Sequence, residues 1–495
     1  MMAAASALHH DILWNVFHMI ATANRCVRGF GMLSETHCLE HLRHASQTCS
    51  AWRQTLLSSP SIWAMCLDMD HLQLRTEAWR LEIIRRTANA PIRVTRFRES
   101  NSFSKEDEWF FTFLKANWYR LHSLDFTLHP SSLEKFLEIQ NLPAPTLIFF
   151  KCTFLPLRPG EFERSMYPQI PESVILLGGG APHLRSLLIY SGSYRSDGTD
   201  ALEFQMPIQS PLFSQLRSLD IRPVYDERHI LHALSSTPLI ESLSLSFSSS
   251  KITIGGTDVT TPPSILPFPC LKKLKVKVNG NIPASIRFLS LLDMKCCKFA
   301  LDLCFLTDPD CDLTDISSSL SGILSAYFRH FDGERPTVQG KPLTVYITSS
   351  TVNISGGPRD FSLVLQGFNQ SSSIPAASFF QAFASSRWYE AAEELRLYTC
   401  TCLPELRILL ASLLSVKCLQ ISADEFARIH AWGQLGSCAE LLPDLEEVYV
   451  VDEDVNEETL GMLHEFLDSR ISCGGKFIQA CTYSDFPDNC LEVVM

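Results

Sequence analysis

The residue types that could do chemistry are scattered along this chain and do not converge. In "ESVILLGGGAPHLRSLLIY" three glycines, Gly178–Gly180, follow an apolar strand-like run, the setting of a phosphate-cradling turn. The stretch lacks the Gly-x-Gly-x-x-Gly spacing, and no Walker lysine follows. His41 and His44 in "HLRH" stand three apart, which could put two imidazoles on one helix face toward a metal. No third ligand at zincin spacing lies nearby, so a solvated helix face is expected. No Gly-x-Ser-x-Gly elbow occurs, and sequence order assembles neither a Cys/His nor a Ser/His/Asp set. The 17 cysteines include no Cys-x-x-Cys pair, and Cys296–Cys297 and Cys400/Cys402 are too close and too isolated to read as zinc ligands. Most sit among apolar residues, as buried reduced thiols in a reducing compartment do. No catalytic residue, cofactor or metal is expected, and the chain reads as a non-enzyme. A hydrolase or nucleotide-dependent enzyme in the irregular middle stands as a rival class.

"CLKKLKVKVNG" alternates Lys273, Lys275 and Lys277 with Leu274, Val276 and Val278. One face of this strand is buried and the other basic. It is either a plain solvated face or a docking strip for an acidic peptide or target. Charge elsewhere is uneven. The whole chain carries −12, while residues 421–495 hold 16 acidic against 3 basic residues, a balance of −13. A neutral-to-acidic chain of this kind argues against general nucleic-acid binding.

Such side chains need elements to hold them, and 495 residues exceed what one core usually organises. Hydrophobic residues make up 46 % and charged residues 19 %, a globular composition. One pattern recurs: apolar, two residues, apolar, one residue, apolar. It occurs at Leu121/Leu124/Phe126, Leu147/Phe150/Cys152, Leu184/Leu187/Ile189, Leu216/Leu219/Ile221, Ile240/Leu243/Leu245 and Leu271/Leu274/Val276. It returns at Ala392/Leu395/Leu397, Val416/Leu419/Ile421 and Leu445/Val448/Val450. The last two positions of each unit share one face of a short strand. A proline often precedes the unit (Pro145, Pro182, Pro211, Pro238, Pro269, Pro443) and ends whatever came before.

Helical patterns fill the intervals. They put Leu133, Phe136 and Leu137 on one face, then Ile230, Leu231 and Leu234, then Leu460, Leu463 and Leu467 behind a capping box at Asp454 and Glu457. No unit buries its apolar face alone, and stacking makes one continuous core. The middle breaks the rhythm with a helical stripe (Leu320, Ile323, Leu324, Tyr327, Phe328) and strand-like alternation at Leu343, Val345 and Ile347. The repeat resembles a leucine-rich-repeat array over roughly residues 120–280 and 390–470, with irregular steps and few ladder asparagines.

The first sixty-odd residues differ. "DILWNVFHMI" spaces Ile12, Val16 and Ile20 four apart, with Leu13 and Phe17 beside them. "LEHLRHASQTCSAWRQTLL" spaces Leu42, Ala45, Cys49, Trp52 and Leu56 at helical steps. Both predict amphipathic helices. A basic n-region is absent and His9, His10 and Asp11 interrupt the apolar part, so a folded amphipathic helix is expected here in place of a signal peptide; no apolar run of 18 or more residues indicates a membrane span. A module this small often keeps an apolar face for a partner helix. The alternative is a plain N-terminal cap on the array.

These residues resemble the F-box in the form common in large fungal, basidiomycete-type families. Leu8, Asp11, Ile12, Leu13, Val16 and Phe17 match its first part. Leu42, Ser46, Cys49, Trp52 and Arg53 match its second, and Pro60, Ser61, Ile62 and Trp63 its third. "WRLEIIRRTANAPIRV", Trp79 to Val94, is also similar to that family. His9 stands where a proline usually opens the motif, and Ala21 to Cys38 is a long insert. The resemblance implies a substrate adaptor of an SCF-type cullin–RING ubiquitin ligase. Leu8, Ile12, Leu13, Val16, Phe17, Leu42, Cys49, Trp52, Leu57, Pro60 and Trp63 would bind the Skp-family linker protein, and the repeats a target protein, with Lys273, Lys275 and Lys277 as candidates. A non-ligase leucine-rich-repeat scaffold is the alternative. No nucleic-acid or membrane partner is expected, and the location would be cytoplasmic, nuclear or both.

The expected fold is therefore α/β: a small helical F-box-like N-terminal module, then an irregular leucine-rich-repeat solenoid of strand plus helix or loop. Its parts are residues 1–68, the F-box-like module; 69–119, a linker helix and first repeat; 120–284, an array; 285–390, irregular repeats or an insertion; 391–480, a second array; and 481–495, a tail.

Overall fold

A computed structural model describes residues 9–23, 37–97, 105–155, 176–191, 211–224, 227–248, 268–279, 282–292, 299–306, 319–320, 322–324, 326–327, 341–347, 351–357, 361–366, 392–398, 410–433, 442–451, 457–472, 479–483 and 490–493. Internal contacts divide the chain into two compact units, Met1–Pro223 with His232–Ile240 and Val224–Leu231 with Glu241–Met495.

The first unit opens with helices. They are α1 (His10–Ala23), α2 (Cys38–Thr48), α3 (Ser50–Leu57) and α4 (Pro60–Ala64). The regular spacing of Leu42, Ala45, Cys49, Trp52 and Leu56 suggested one helix, but two form. Cys49 is extended (φ −155°, ψ 169°) and separates α2 from α3. Leu42, Ala45 and Leu56 are buried, whereas Cys49 and Trp52 are only half-buried. Pro60 starts α4, where its fixed φ suits a first helical turn and its missing N–H leaves nothing unpaired. A two-residue strand, β1 (Leu67–Asp68), follows, then α5 (Met69–Gln73) and α6 (Glu77–Arg86). The linker helix expected before the first repeat strand is α6, and it leads to β2 (Ile92–Arg96).

From β1 onward, parallel strands add in chain order. β2 pairs β1, and β3 (Leu121–Leu128) pairs β2; β4 (Phe149–Phe154), β5 (Ser186–Ser191) and β6 (Ser218–Val224) continue the series. The register aligns the repeat. Leu124, Phe150, Leu187 and Leu219 form one row, and Phe126, Cys152, Ile189 and Ile221 the next. Helices α7 (Lys105–Asn117) and α8 (Leu133–Gln140) fill intervals between strands. In α8 the buried side is Leu133, Phe136 and Ile139, with Leu137 only half-buried; tertiary contact rotates the helix from the face its spacing suggested.

All nine apolar triplets of the repeat are buried, including every first anchor. The first anchor closes a tight turn in six units. The N–H of Leu147, Leu184, Leu216, Ile240, Leu271 and Leu445 bonds the carbonyl three residues back at 3.1–3.3 Å. Pro145, Pro182, Pro238, Pro269 and Pro443 occupy the second turn position, where a preset φ near −65° is favoured. The proline thus shapes the turn into the strand as well as stopping what precedes it.

In the second unit β7 (Ser242–Ser248), β8 (Lys273–Asn279) and β9 (Ala300–Leu306) are parallel neighbours. The helix α9 (Glu227–Ser235), through which the division of the chain runs, buries Ile230, Leu231 and Leu234, and α10 (Ile282–Ser290) of the second unit follows β8. The irregular middle continues the same sheet. β12 (Phe361–Gln366) pairs β9 in parallel, β11 (Thr351–Gly357) is antiparallel to it, and β10 (Lys341–Ile347) is antiparallel to β11. β10 then pairs β13 (Ala392–Leu397) in parallel. Strands β14 (Cys418–Ser422), β15 (Glu447–Val451) and β16 (Gln479–Tyr483) extend the parallel series, and β17 (Cys490–Val493) closes it antiparallel. Leu320, Ile323, Leu324 and Tyr327 are buried as their spacing predicts, while Phe328 lies outside the described residues. Helices α11 (Ala423–Gly433) and α12 (Glu457–Ser472) pack together through Phe426 and Phe466. In α12 the buried side runs through Thr459, Leu463, Phe466, Leu467 and Arg470, and Leu460 is half-buried. Asp454 of the expected capping box lies outside the described residues.

Candidate functional site

Helix α1 is apolar on two faces. Leu13, Phe17 and Ala21, spaced four apart, are buried at 2 %, 0 % and 4 % exposure. Ile12, Val16 and Met19 form a second row at steps of four and three, and remain 51 %, 39 % and 67 % exposed. Helix side chains at those steps line one face. The inner row seats α1 on α2, α3 and α4, and Phe17 meets the Trp52 ring edge-on at 5.4 Å. Leu57 of α3 is also 46 % exposed.

The residues expected to bind a linker therefore divide into three groups. Ile12, Val16 and Leu57 are exposed, and Cys49, Trp52 and Pro60 are half-buried. Leu13, Phe17, Leu42 and Trp63 lie in the module's own core. Trp63 donates its indole N–H to the Leu56 carbonyl at 2.8 Å, and the Arg86 guanidinium stacks 4.6 Å from its ring. Leu8 lies outside the described residues. Met19, which no motif position singled out, is the most exposed apolar side chain of α1.

Tertiary contact assembles a Cys/His/Asp line that sequence order did not suggest. His37 Nε2 lies 3.3 Å from Asp68 Oδ2, and Cys38 Sγ lies 3.7 Å from His37 Nδ1. Burial opposes a charged His37 ring, but hydrogen bonds with Asp68 and Cys38 outweigh it and raise the imidazole to about 9. Hydrogen bonding with Cys66, against burial and assisted by His37, lowers the Cys38 thiol to about 5. His71 stacks on His37 at 4.1 Å, and Arg75 with Glu40 closes the far side. Cys38 and Asp68 are each only 4 % exposed. The line therefore ties the start of α2 to β1, and the sulfur is out of reach of a substrate. A cleft of about 270 Å³ lies nearby between α2 and α6, with Arg43, Gln47, Trp79 and Glu82 among its lining residues.

The other candidates resolve simply. His41 and His44 are both exposed on α2, and among the described residues no group of three metal-ligating side chains converges. Gly178 serves packing. Its φ is +56°, and a Cβ there would stand 2.7 Å from the Asn141 carbonyl oxygen and 2.9 Å from the Pro143 nitrogen. The glycine run thus lets the chain pass close to the loop after α8. No described helix is long and apolar enough to cross a membrane.

On β8 the buried positions are Leu274, Val276 and Val278, and the lysines occupy the opposite face. The three are not equivalent. Lys275 is half-exposed and pairs with Asp302 at 2.6 Å. Lys273 and Lys277 are exposed and make no ion pair among the described residues.

Parallel strands in register, several of them entered through an apolar-anchored turn, define a mixed α/β chain built on a long, largely parallel sheet. The chain is similar to the solved structure of LegL7, a leucine-rich-repeat-containing protein from Legionella pneumophila. The identity is 13 % over 69 % of this chain and 96 % of that one, with a TM-score of 0.27. No protein-family model and no curated protein matches the chain.

Proposed function

We propose that this protein is a substrate adaptor of an SCF-type cullin–RING ubiquitin ligase. The N-terminal helices act as an F-box that docks on a Skp-family linker protein, and the strand array holds a target. The ligase chemistry lies in other subunits; this chain supplies proximity and orientation. The supporting observation is the row Ile12, Val16 and Met19, which stays exposed while the opposite row of the same helix closes a small core. A helix that is apolar on both sides leaves surface to be covered by another chain. Contact with the linker falls on the exposed Ile12, Val16 and Leu57, while Leu13, Phe17, Leu42 and Trp63 support it from beneath.

The test is co-purification of the full chain with a Skp-family linker, set against a full-length variant carrying Ile12→Ser, Val16→Ser and Met19→Ser. The parent is expected to retain the linker and the folded variant to lose it. Equal retention by both refutes the assignment. If the parent captures no linker, the array is a protein-interaction scaffold outside any ligase.

A further inference from the structure

We propose that the β7–β8–β9 face of the second unit is a docking strip for an extended acidic peptide segment, held by Lys273 and Lys277. This deepens the function proposed above, from which it takes only the role of the array as target holder. The segment offers aspartate or glutamate side chains.

The strip follows from pairing and register. Strands β7, β8 and β9 bury Leu243, Leu274 and Leu301 in one row and Leu245, Val276 and Leu303 in the next. The residues between them therefore share the opposite face. There Ser242 aligns with Lys273 and Ala300, Ser244 with Lys275 and Asp302, and Ser246 with Lys277 and Cys304. Small side chains thus flank the lysines on both sides, so the ammonium groups stand above a low floor.

Two of the local cations are already neutralised. Lys275 is held by Asp302, and Lys272 by Glu241 at 2.6 Å. Lys273 and Lys277 are exposed and have no carboxylate partner among the described residues. Four residues of strand separate them, about 13 Å at the usual rise. An extended peptide laid along β8 repeats at nearly the same rise, so acidic side chains four residues apart meet both lysines.

The contrast with the rest of the molecule adds direction. Lys273, Lys275 and Lys277 against Asp302 leave this face at +2, in a chain whose total is −12. Further along the same unit, Glu394, Arg396 and Glu447 give −1. Glu394 is held by Arg396 and by the Thr344 hydroxyl. An acidic segment is therefore drawn to β8 and repelled from the acidic surroundings. Such complementarity sets orientation and association rate more than raw affinity.

The experiment uses the full chain and three fluorescein-labelled twelve-residue peptides read by anisotropy. One alternates Glu and Ser, one alternates Gln and Ser, and one alternates Gln and phosphoserine. The Glu/Ser peptide is expected to bind, and the Gln/Ser peptide at least tenfold more weakly. Lys273→Glu with Lys277→Glu should weaken Glu/Ser binding at least tenfold, while Lys135→Glu on α8 leaves it unchanged. Four results overturn the proposal: no Glu/Ser binding by the parent, equal binding by the double variant, equal binding of the Gln/Ser peptide, or binding of the phosphoserine peptide alone. Far-ultraviolet circular dichroism checks that the double variant is folded. Linker capture is scored separately on the α1 variant, so either proposal can fail while the other stands.

Discussion

Trp63 donates its indole N–H to the Leu56 carbonyl at 2.8 Å, across the corner where α3 gives way to α4. The ring is fully buried and carries the Arg86 guanidinium on its face. One side chain thus joins α3, α4 and α6. Trp63→Ala empties that joint and is expected to cost about 3–5 kcal/mol. Trp63→Phe keeps most of the packing and removes one of two hydrogen bonds to the Leu56 carbonyl, which still accepts the Ser59 N–H at 3.2 Å, for about 0.5–1.5 kcal/mol. Denaturant unfolding of the two variants gives the order; equal stability of Trp63→Ala and the parent would show that the corner does not depend on this ring.

The two rows of α1 should separate folding from binding. Leu13→Ala or Phe17→Ala opens the module core and is expected to destabilise it by about 2–5 kcal/mol. Val16→Asp changes an exposed position and should move stability by no more than about 0.5 kcal/mol. Under the adaptor proposal it nonetheless abolishes linker capture. Thermal unfolding and pull-down on the same preparations distinguish the rows. Loss of stability in Val16→Asp equal to that in Phe17→Ala contradicts the assignment of faces.

What sequence spacing could convey here was local. The nine apolar triplets are all buried, because strand alternation and a proline-led turn leave each side chain one direction to point. The orientation of α1 was not legible. Ile12, Val16 and Ile20 have the same helical spacing as Leu13, Phe17 and Ala21, so periodicity alone could not say which row faces inward. The break at Cys49 was hidden for a similar reason, since one extended residue leaves the apparent steps of three and four intact. The contact between His37 and Asp68 joins residues 31 apart, and no short pattern records it. The inequality of the three β8 lysines depends on Asp302, which reaches Lys275 only through the register of β8 with β9.

Arg96 and Asp107 form an ion pair sealed between β2 and α7, with each side chain 4 % exposed and the guanidinium 4.6 Å from the Phe110 ring. Removing one partner leaves the other charge buried without its counterpart. Asp107→Ala is expected to cost about 3–5 kcal/mol, whereas Arg96→Met with Asp107→Leu should be near neutral or stabilising. Chemical denaturation of the single and double variants completes the cycle. A double variant as unstable as the single one means that the pair holds α7 by more than charge compensation.

His37 makes the join between α2 and β1 sensitive to alkali. Its imidazole is raised from 6.5 to about 9, where burial is outweighed by hydrogen bonds with Asp68 and Cys38. A base whose pKa is higher folded than unfolded binds its proton more tightly in the native state. The stabilisation is therefore complete below pH 6.5 and is lost as the pH rises through 9. His37→Asn keeps a short polar side chain ahead of α2 and cannot carry the charge. The gap in unfolding free energy between parent and His37→Asn is expected to be widest below pH 6.5 and to close toward pH 9. A gap that stays constant over that range would mean that Asp68 faces a neutral ring.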